Sequence, residues 1–250
     1  AAFDHGAADP RVGADAPVVT GPRIRAMRLA LFDLDHTLLP IDSADTWSHH
    51  VVRRGGLDAA KYTARIEHFA QEYRAGTFDV DAYVRFQMEL LAAFTREQLD
   101  AWHAEFMERH VTPAMREQAR RLVDSHRSRG DELALVTGTN AYVVTPIAQA
   151  FGIDHVLAVE PEQHAGRFTG GVVGTHTYQD GKVRKVEEWL AARARSLADT
   201  VTTFYSDSIN DLPLLERVTY PVVTNGDARL QAIARERGWP TLQLFEDAHV

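Results

Sequence analysis

Leu29-Ala30-Leu31-Phe32-Asp33-Leu34-Asp35-His36-Thr37-Leu38 is the stretch that decides how this chain is read. An apolar, strand-like run ends at two aspartates two residues apart, with a threonine just beyond. Acidic residues are poor strand formers and costly to bury. At the carboxyl end of a strand they mark a site, because open α/β sheets place their ligands at that edge. Side chains two apart on an extended strand face the same way. At ~4 Å and an effective dielectric of about 20, two such carboxylates repel by roughly 4 kcal/mol. The pair therefore calls for a proton or a cation, and a metal ion is expected.

Outward from this run, the chain alternates. Glu132–Val136, Val201–Tyr205 and Tyr220–Val223 join Arg28–Phe32 as short apolar strands. Between them lie helical patterns at Met115–Ser128, Tyr142–Phe151 and Lys182–Arg195. Gly130, Gly152 and Gly238 stand where helix C-terminal caps fall. Such alternation predicts an α/β fold, a three-layer, Rossmann-like parallel sheet with helices on both faces. About a hundred residues separate the first two strands, whereas a crossover needs only a dozen or more. Ser43–Phe106 reads as helix, with Tyr83, Phe86, Leu90, Leu91 and Phe94 at helical spacing. The expected organisation is a core over 27–42 and 107–250, with a helical cap over 43–106 above the strand end. Phe168-Thr169-Gly170-Gly171-Val172-Val173 is expected to form a small hairpin with a Gly-rich turn. Residues 1–26, rich in Ala, Gly, Asp and Pro, read as a flexible extension before Met27.

Bulk composition narrows the partners. The formal charge of −8 argues against a general nucleic-acid binder. No apolar run is long enough to span a bilayer. The absence of cysteine rules out disulfides and thiolate metal sites, and fits a cytoplasmic protein. The twelve histidines are scattered, and adjacent His49 and His50 face different sides of a helix, so a histidine metal site is not expected.

Three further features fall at strand ends. Thr137-Gly138-Thr139-Asn140 closes one strand before a helix, and glycine lets a backbone approach an anion closely. The plainer alternative is that Thr137 or Asn140 merely caps that helix. Thr145-Pro146 has the form of a second helix start and predicts a break there. Ser206-Asp207-Ser208-Ile209-Asn210-Asp211 closes another strand. Ser208 and Asp211 have capping-box spacing, which accounts for Asp211 but not for Asp207. Four carboxylates at one sheet edge suit Mg²⁺, which takes one or two direct carboxylates plus water and phosphate oxygens. Asp33 and Asp207 are the expected direct ligands, with Asp211 behind them. Lys182 opens a helix, where a cation is unfavourable, so a tertiary role is expected for it, with Lys185 as the competitor.

Taken in order, Asp33-Leu34-Asp35-His36-Thr37, Thr137-Gly138, Lys182, and Asp207 with Asp211 resemble the haloacid dehalogenase-like phosphohydrolases. The helical insertion and the hairpin resemble the phosphoserine-phosphatase branch, over essentially residues 28–225. The resemblance implies that Asp33 is a nucleophile forming an aspartyl-phosphate. It implies that Asp35 is the general acid and base, its backbone carbonyl also a metal ligand. Thr137, Gly138 and Lys182 would bind the phosphoryl oxygens, and Mg²⁺ would be the cofactor. A second aspartate separates phosphatases from dehalogenase relatives. The implied substrate is a small phosphorylated metabolite. Asp42 stands near the place of an acidic residue that reads the substrate amine, or else it caps the first cap helix. The arginine that reads a carboxylate is matched by Gln87, with Arg85 two residues away, which leaves phosphoserine or an amino-alcohol phosphate of the histidinol phosphate kind as substrates. A phosphotransferase or mutase acting on small alcohols or sugars, and a non-catalytic phospholigand-binding protein, are the alternatives.

Overall fold

A computed structural model describes residues 27–245, so the extension expected over 1–26 lies outside the described residues. Seven strands form one sheet in the order β4-β3-β2-β1-β5-β6-β7. They are β1 (Met27–Phe32), β2 (Glu132–Asn140), β3 (His155–His164), β4 (Arg167–Val173), β5 (Thr200–Ser206), β6 (Tyr220–Thr224) and β7 (Thr241–Leu242). Every neighbouring pair is parallel except β3 and β4. β1 is central and buried on both faces, which is why it is apolar without interruption. Ala30 and Phe32 enter one apolar cluster while Leu29 and Leu31 enter the other, as the two-residue period of a strand requires.

The helices are α1 (Ser43–Arg54), α2 (Ala59–Ala75), α3 (Val80–Ala92), α4 (Arg96–Phe106), α5 (Thr112–Ala114), α6 (Glu117–Ser128), α7 (Ala141–Phe151), α8 (Asp180–Ala191), α9 (Leu212–Leu215) and α10 (Ala228–Arg237). The long helical stretch after β1 is cut into four pieces by its own caps. Asp42, Asp58, Asp79 and Thr95 each accept a backbone N–H at the start of α1, α2, α3 and α4. Trp47, Phe86, Leu91, Leu99 and Phe106 join these helices to the same apolar cluster as Phe32. A π-helical turn, Met107–Val111, leads back towards the sheet.

Two local expectations need correction. No helix break occurs at Thr145-Pro146. α7 runs through Pro146, and the Thr145 hydroxyl donates to the Ala141 carbonyl at 2.7 Å. Proline forfeits one helix hydrogen bond, but Val143, Val144, Ile147, Ala148 and Phe151 bury one apolar face and hold the helix together. The hairpin also has a different turn. Phe168–Val173 forms most of β4 alone, paired with β3, and the chain reverses at Ala165-Gly166, both at positive φ. Gly170 and Gly171 lie inside the strand instead, where β4 packs against α3. No described helix is long and apolar enough to cross a membrane.

Candidate active site

β1, β2 and β5 lie side by side and end at the same edge, so Asp33, Thr137 and Asp207 arrive together. Asp33 is held by its backbone N–H, which donates to the Tyr205 carbonyl at 3.0 Å. Its Oδ1 accepts from Lys182 Nζ at 2.8 Å, and its Oδ2 lies 3.2 Å from Thr37 Oγ1. The single Thr37 proton has a nearer acceptor in Asp207 Oδ1, at 2.9 Å, while the Asp207 N–H donates back to Thr37 Oγ1 at 3.0 Å. Thr37 therefore sets Asp207 beside Asp33, a part that its place in the opening motif signalled without naming.

Asp35 faces the same cavity but has its own partners. The Ser43 N–H donates to Oδ1 at 2.7 Å, and the Thr139 hydroxyl donates to Oδ2 at 2.9 Å. The carboxylate crowding Asp33 is Asp207, not Asp35, because the chain leaves the strand after Phe32 and turns at Leu34. His36 sits at φ +56, a costly region for a non-glycine residue. The Asn225 side chain braces it by donating to the His36 and Thr37 carbonyls at 2.8 and 3.2 Å.

Lys182 stands in the first turn of α8, only 5% exposed. It spans Asp33 and Asp211, with Nζ 2.7 Å from Asp211 Oδ2. Ser206 donates to the same Asp211 oxygen at 2.6 Å. Asp211 thus orients the lysine and is no capping-box partner of Ser208. Lys185, one turn on, does not line the cavity. The helix starts there because Gly181 permits it. A Cβ on Gly181 would lie 2.2 Å from the His176 carbonyl oxygen. His176 leads into Thr177, whose buried hydroxyl donates to the Thr137 carbonyl. Gly181→Ala is expected to push this turn and Lys182 off position, lowering kcat/KM roughly 10- to 100-fold. Steady-state kinetics on p-nitrophenyl phosphate would check it, and an unchanged kcat/KM would sink it.

The charges at this edge do not balance. Burial and the adjacent Asp33 charge hold Asp207 well above the ordinary carboxylate range. Burial lifts Asp211 to about 6, although Lys182 pulls the other way. Burial opposes the Lys182 ammonium, but Asp211 and Asp33 outweigh it and raise its pKa. One cation among three buried carboxylates leaves the Asp33–Asp207 side short of positive charge. Two carboxylates and a backbone carbonyl fit Mg²⁺, which keeps its remaining positions for water and phosphate oxygens. Among the described residues no three His, Cys, Asp or Glu side chains are arranged to hold a metal ion by themselves. Gly138 lines the cavity, and a Cβ there would meet only the Thr177 carbonyl oxygen, at an ordinary 3.6 Å. The fold itself does not demand that glycine.

The cavity above these groups is about 520 Å³, a size suited to a small metabolite. Asp42 caps α1, accepting from the Asp45 N–H at 2.8 Å, and it also lines the cavity. Asp45, unnoticed in the sequence, lines it as well and accepts from Tyr83 OH at 3.3 Å. Tyr73 on α2 shares a 2.6 Å hydrogen bond with Ser208, which closes the helical layer onto the Asp207 loop. Arg85 does not line the cavity. It is exposed on α3, two positions or about 200° of helix turn from the cavity-facing Tyr83. Gln87 is buried and accepts from Asn140 Nδ2 at 3.1 Å. Asn140 is in turn the cap of α7, its Oδ1 accepting from the Val143 N–H. The arginines at the cavity are Arg74 and Arg229, both exposed.

The profile of the haloacid dehalogenase-like hydrolases matches residues 30–216. A histidinol-phosphatase of Neisseria meningitidis serogroup C is 40% identical over 218 residues, covering 86% of this chain and 98% of the relative. A solved Bordetella pertussis Tohama I protein of unknown function has a TM-score of 0.84 at 43% identity, covering 88% of this chain and all (100%) of its own. A substrate-bound phosphoserine phosphatase shares the fold, with a TM-score of 0.62 at 19% identity, covering 87% of this chain and 93% of its own.

Proposed function

The chain belongs to the haloacid dehalogenase-like hydrolases and is a phosphatase of that family, and from that premise we propose that it hydrolyses a small amino-alcohol phosphate of the histidinol phosphate type through Asp33. Asp33 attacks the phosphorus, a bond forms to its carboxylate oxygen, and the phosphorus–alkoxide bond breaks. Asp35 gives its proton to the leaving alkoxide and later takes one from the water that releases phosphate. Burial, with the Asp42 charge adding to it, raises Asp35 to about 6, which keeps a useful fraction protonated near neutral pH. Lys182, with the Thr137 and Gly138 groups, neutralises the phosphoryl oxygens. Mg²⁺, when bound by Asp33, the Asp35 carbonyl and Asp207, supplies the positive charge that phosphoryl transfer requires. Residues 43–106 act as a cap that excludes water and positions the alcohol.

The observation that carries the substrate reading is the acidic wall that Asp42 and Asp45 form in the cavity, near Asp35. Asp42 and Asp45 line the cavity with no Lys or Arg ion pair to either among the described residues. Burial, then the Asp45 charge, pushes Asp42 up to about 7. Burial, then the Asp35 charge, pushes Asp45 to about 6. An ammonium group relieves that cost. The identity to a histidinol-phosphatase supports the same class. Arg74 at the cavity favours phosphoserine as a second reading, since it supplies a cation for a carboxylate.

A pH profile tests this. Below pH ~7 the Asp42 carboxylate is increasingly neutral and no longer attracts an ammonium. The kcat/KM ratio of L-histidinol phosphate to 3-(imidazol-4-yl)propyl phosphate, the same molecule without its amine, is expected to fall as pH drops from 8 to 5. Both are alkyl phosphates carrying the same ring, so phosphoryl and imidazole ionisation largely cancel. In Asp42→Asn the ratio should be low and flat. A flat wild-type ratio, or a preference for phosphoserine lost in Arg74→Ala, would overturn the histidinol-type reading.

A further inference from the structure

We infer that Tyr73, Phe78 and Tyr178, flanked by Tyr83 and Asp45, form a specificity surface for a flat basic ring carried by the leaving alcohol. This rests on the phosphatase reading above and adds aromatic rings to the acidic wall, with Asp45 shared between the two. The rings come from two separate parts of the chain. Tyr73 lies on α2, Phe78 just before α3 and Tyr83 on α3, whereas Tyr178 belongs to the loop that leads into α8 and Lys182. All four line the same cavity as Asp33 and Asp35. Phe78 is the hub, with ring centroids 5.6 Å from Tyr73, 5.2 Å from Tyr83 and 5.4 Å from Tyr178.

Core packing accounts for only part of the wall: Phe78 and Tyr83 pack against the main apolar cluster, whereas Tyr73 and Tyr178 do not join it. Phe69 and Phe86 behind it are buried, as core aromatics should be, but Tyr73 is 39% exposed. Phe78 and Tyr178 are also only partly buried. Aromatic surface left open in a cavity is costly unless a ligand covers it. The face of an aromatic ring attracts cations, and ring edges pair with other flat rings at centroid distances like these. Asp45 sits at the end of the wall, accepting from Tyr83 OH at 3.3 Å, and supplies the negative charge that a protonated ring nitrogen needs. The ammonium of an amino alcohol and a basic ring thus have separate places, at Asp42 and along the aromatic wall. A small aliphatic phosphate leaves the wall bare.

Four phosphates separate this from the reading it rests on. They are ethyl phosphate, O-phosphoethanolamine, 2-(imidazol-4-yl)ethyl phosphate and L-histidinol phosphate. The imidazolyl compound should exceed ethyl phosphate in kcat/KM by roughly 10- to 100-fold, the range of a desolvated cation on aromatic faces. The gain should lie in KM, and the ratio should collapse towards one in Phe78→Ala and in Tyr178→Leu. Equal kcat/KM for the two compounds in the wild type overturns the ring surface, with no variant needed. A ratio unchanged in both variants overturns it too. The ammonium reading fails separately, if O-phosphoethanolamine gains nothing over ethyl phosphate.

Discussion

Asp33→Asn is expected to lower kcat by roughly 10⁴- to 10⁶-fold, the scale of removing a nucleophile that acts within a unit. The change is nearly isosteric, and the surroundings can absorb it. An amide oxygen still accepts from Lys182, which lies 2.8 Å from Asp33 Oδ1. Thr37 loses nothing, because its proton already has Asp207 at 2.9 Å, and an amide N–H can donate to its oxygen. The substitution also removes one negative charge from beside Asp207, whose pKa burial and Asp33 together hold high. The melting temperature without metal should therefore hold or rise while turnover disappears. Acid-quenched wild type under turnover should carry a hydroxylamine-labile phosphoryl group, and Asp33→Asn none. Activity within tenfold of wild type, on p-nitrophenyl phosphate or on L-histidinol phosphate, would remove Asp33 from the nucleophile's place.

Much of this edge was legible because strand physics is local. An uninterrupted apolar run signals a strand buried on both faces, and polar groups at its end are costly enough to need a reason. That logic located Asp33, Thr137 and Asp207 at adjacent strand ends, and Asp42 reads as a cap of the first helix, but the cuts at Asp58, Asp79 and Thr95 show only in the structure. What stayed hidden depends on tertiary geometry. Periodicity says which residues share a helix face, not which face meets a cavity, and so Arg85 was expected at a site that Tyr83 and Arg74 line instead. The turn after Leu34 separates Asp33 from Asp35, so the crowded pair is Asp33 with Asp207, distant in sequence. Thr145-Pro146 has the local form of a second helix start, while the packed face that carries α7 through it shows only in three dimensions. The aromatic wall is divided between residues 73–83 and residue 178, and no local pattern joins them.

Lys182→Met is expected to fail twice, in chemistry and in stability, and pH should separate the two. Among the described residues Lys182 is the sole buried lysine or arginine, and Asp33, Asp207 and Asp211 are buried around it. Methionine fills a similar volume but leaves those carboxylates without their cation. Removing one partner of a buried ion pair typically costs about 3–5 kcal/mol, or roughly 6–20 °C in melting temperature at this size. The sign with pH follows from the direction of the shifts. Burial already lifts Asp211 and Asp207 even with the lysine present, and without it they move higher still. Carboxylates with raised folded pKa values bind more protons folded than unfolded, so stability is kept at low pH and lost as pH rises through those values. The melting-temperature deficit of the variant should be small at pH 5 and large at pH 8, and millimolar Mg²⁺ should recover part of it by restoring positive charge beside Asp33 and Asp207. Turnover should drop by roughly 10²- to 10³-fold or more at every pH, since the phosphoryl oxygens lose a fixed donor. Thermal melts of both proteins at the two pH values, with and without Mg²⁺, make the measurement. A deficit that ignores both pH and Mg²⁺ would mean the lysine is packing alone, and the charge balance proposed for this edge would be wrong.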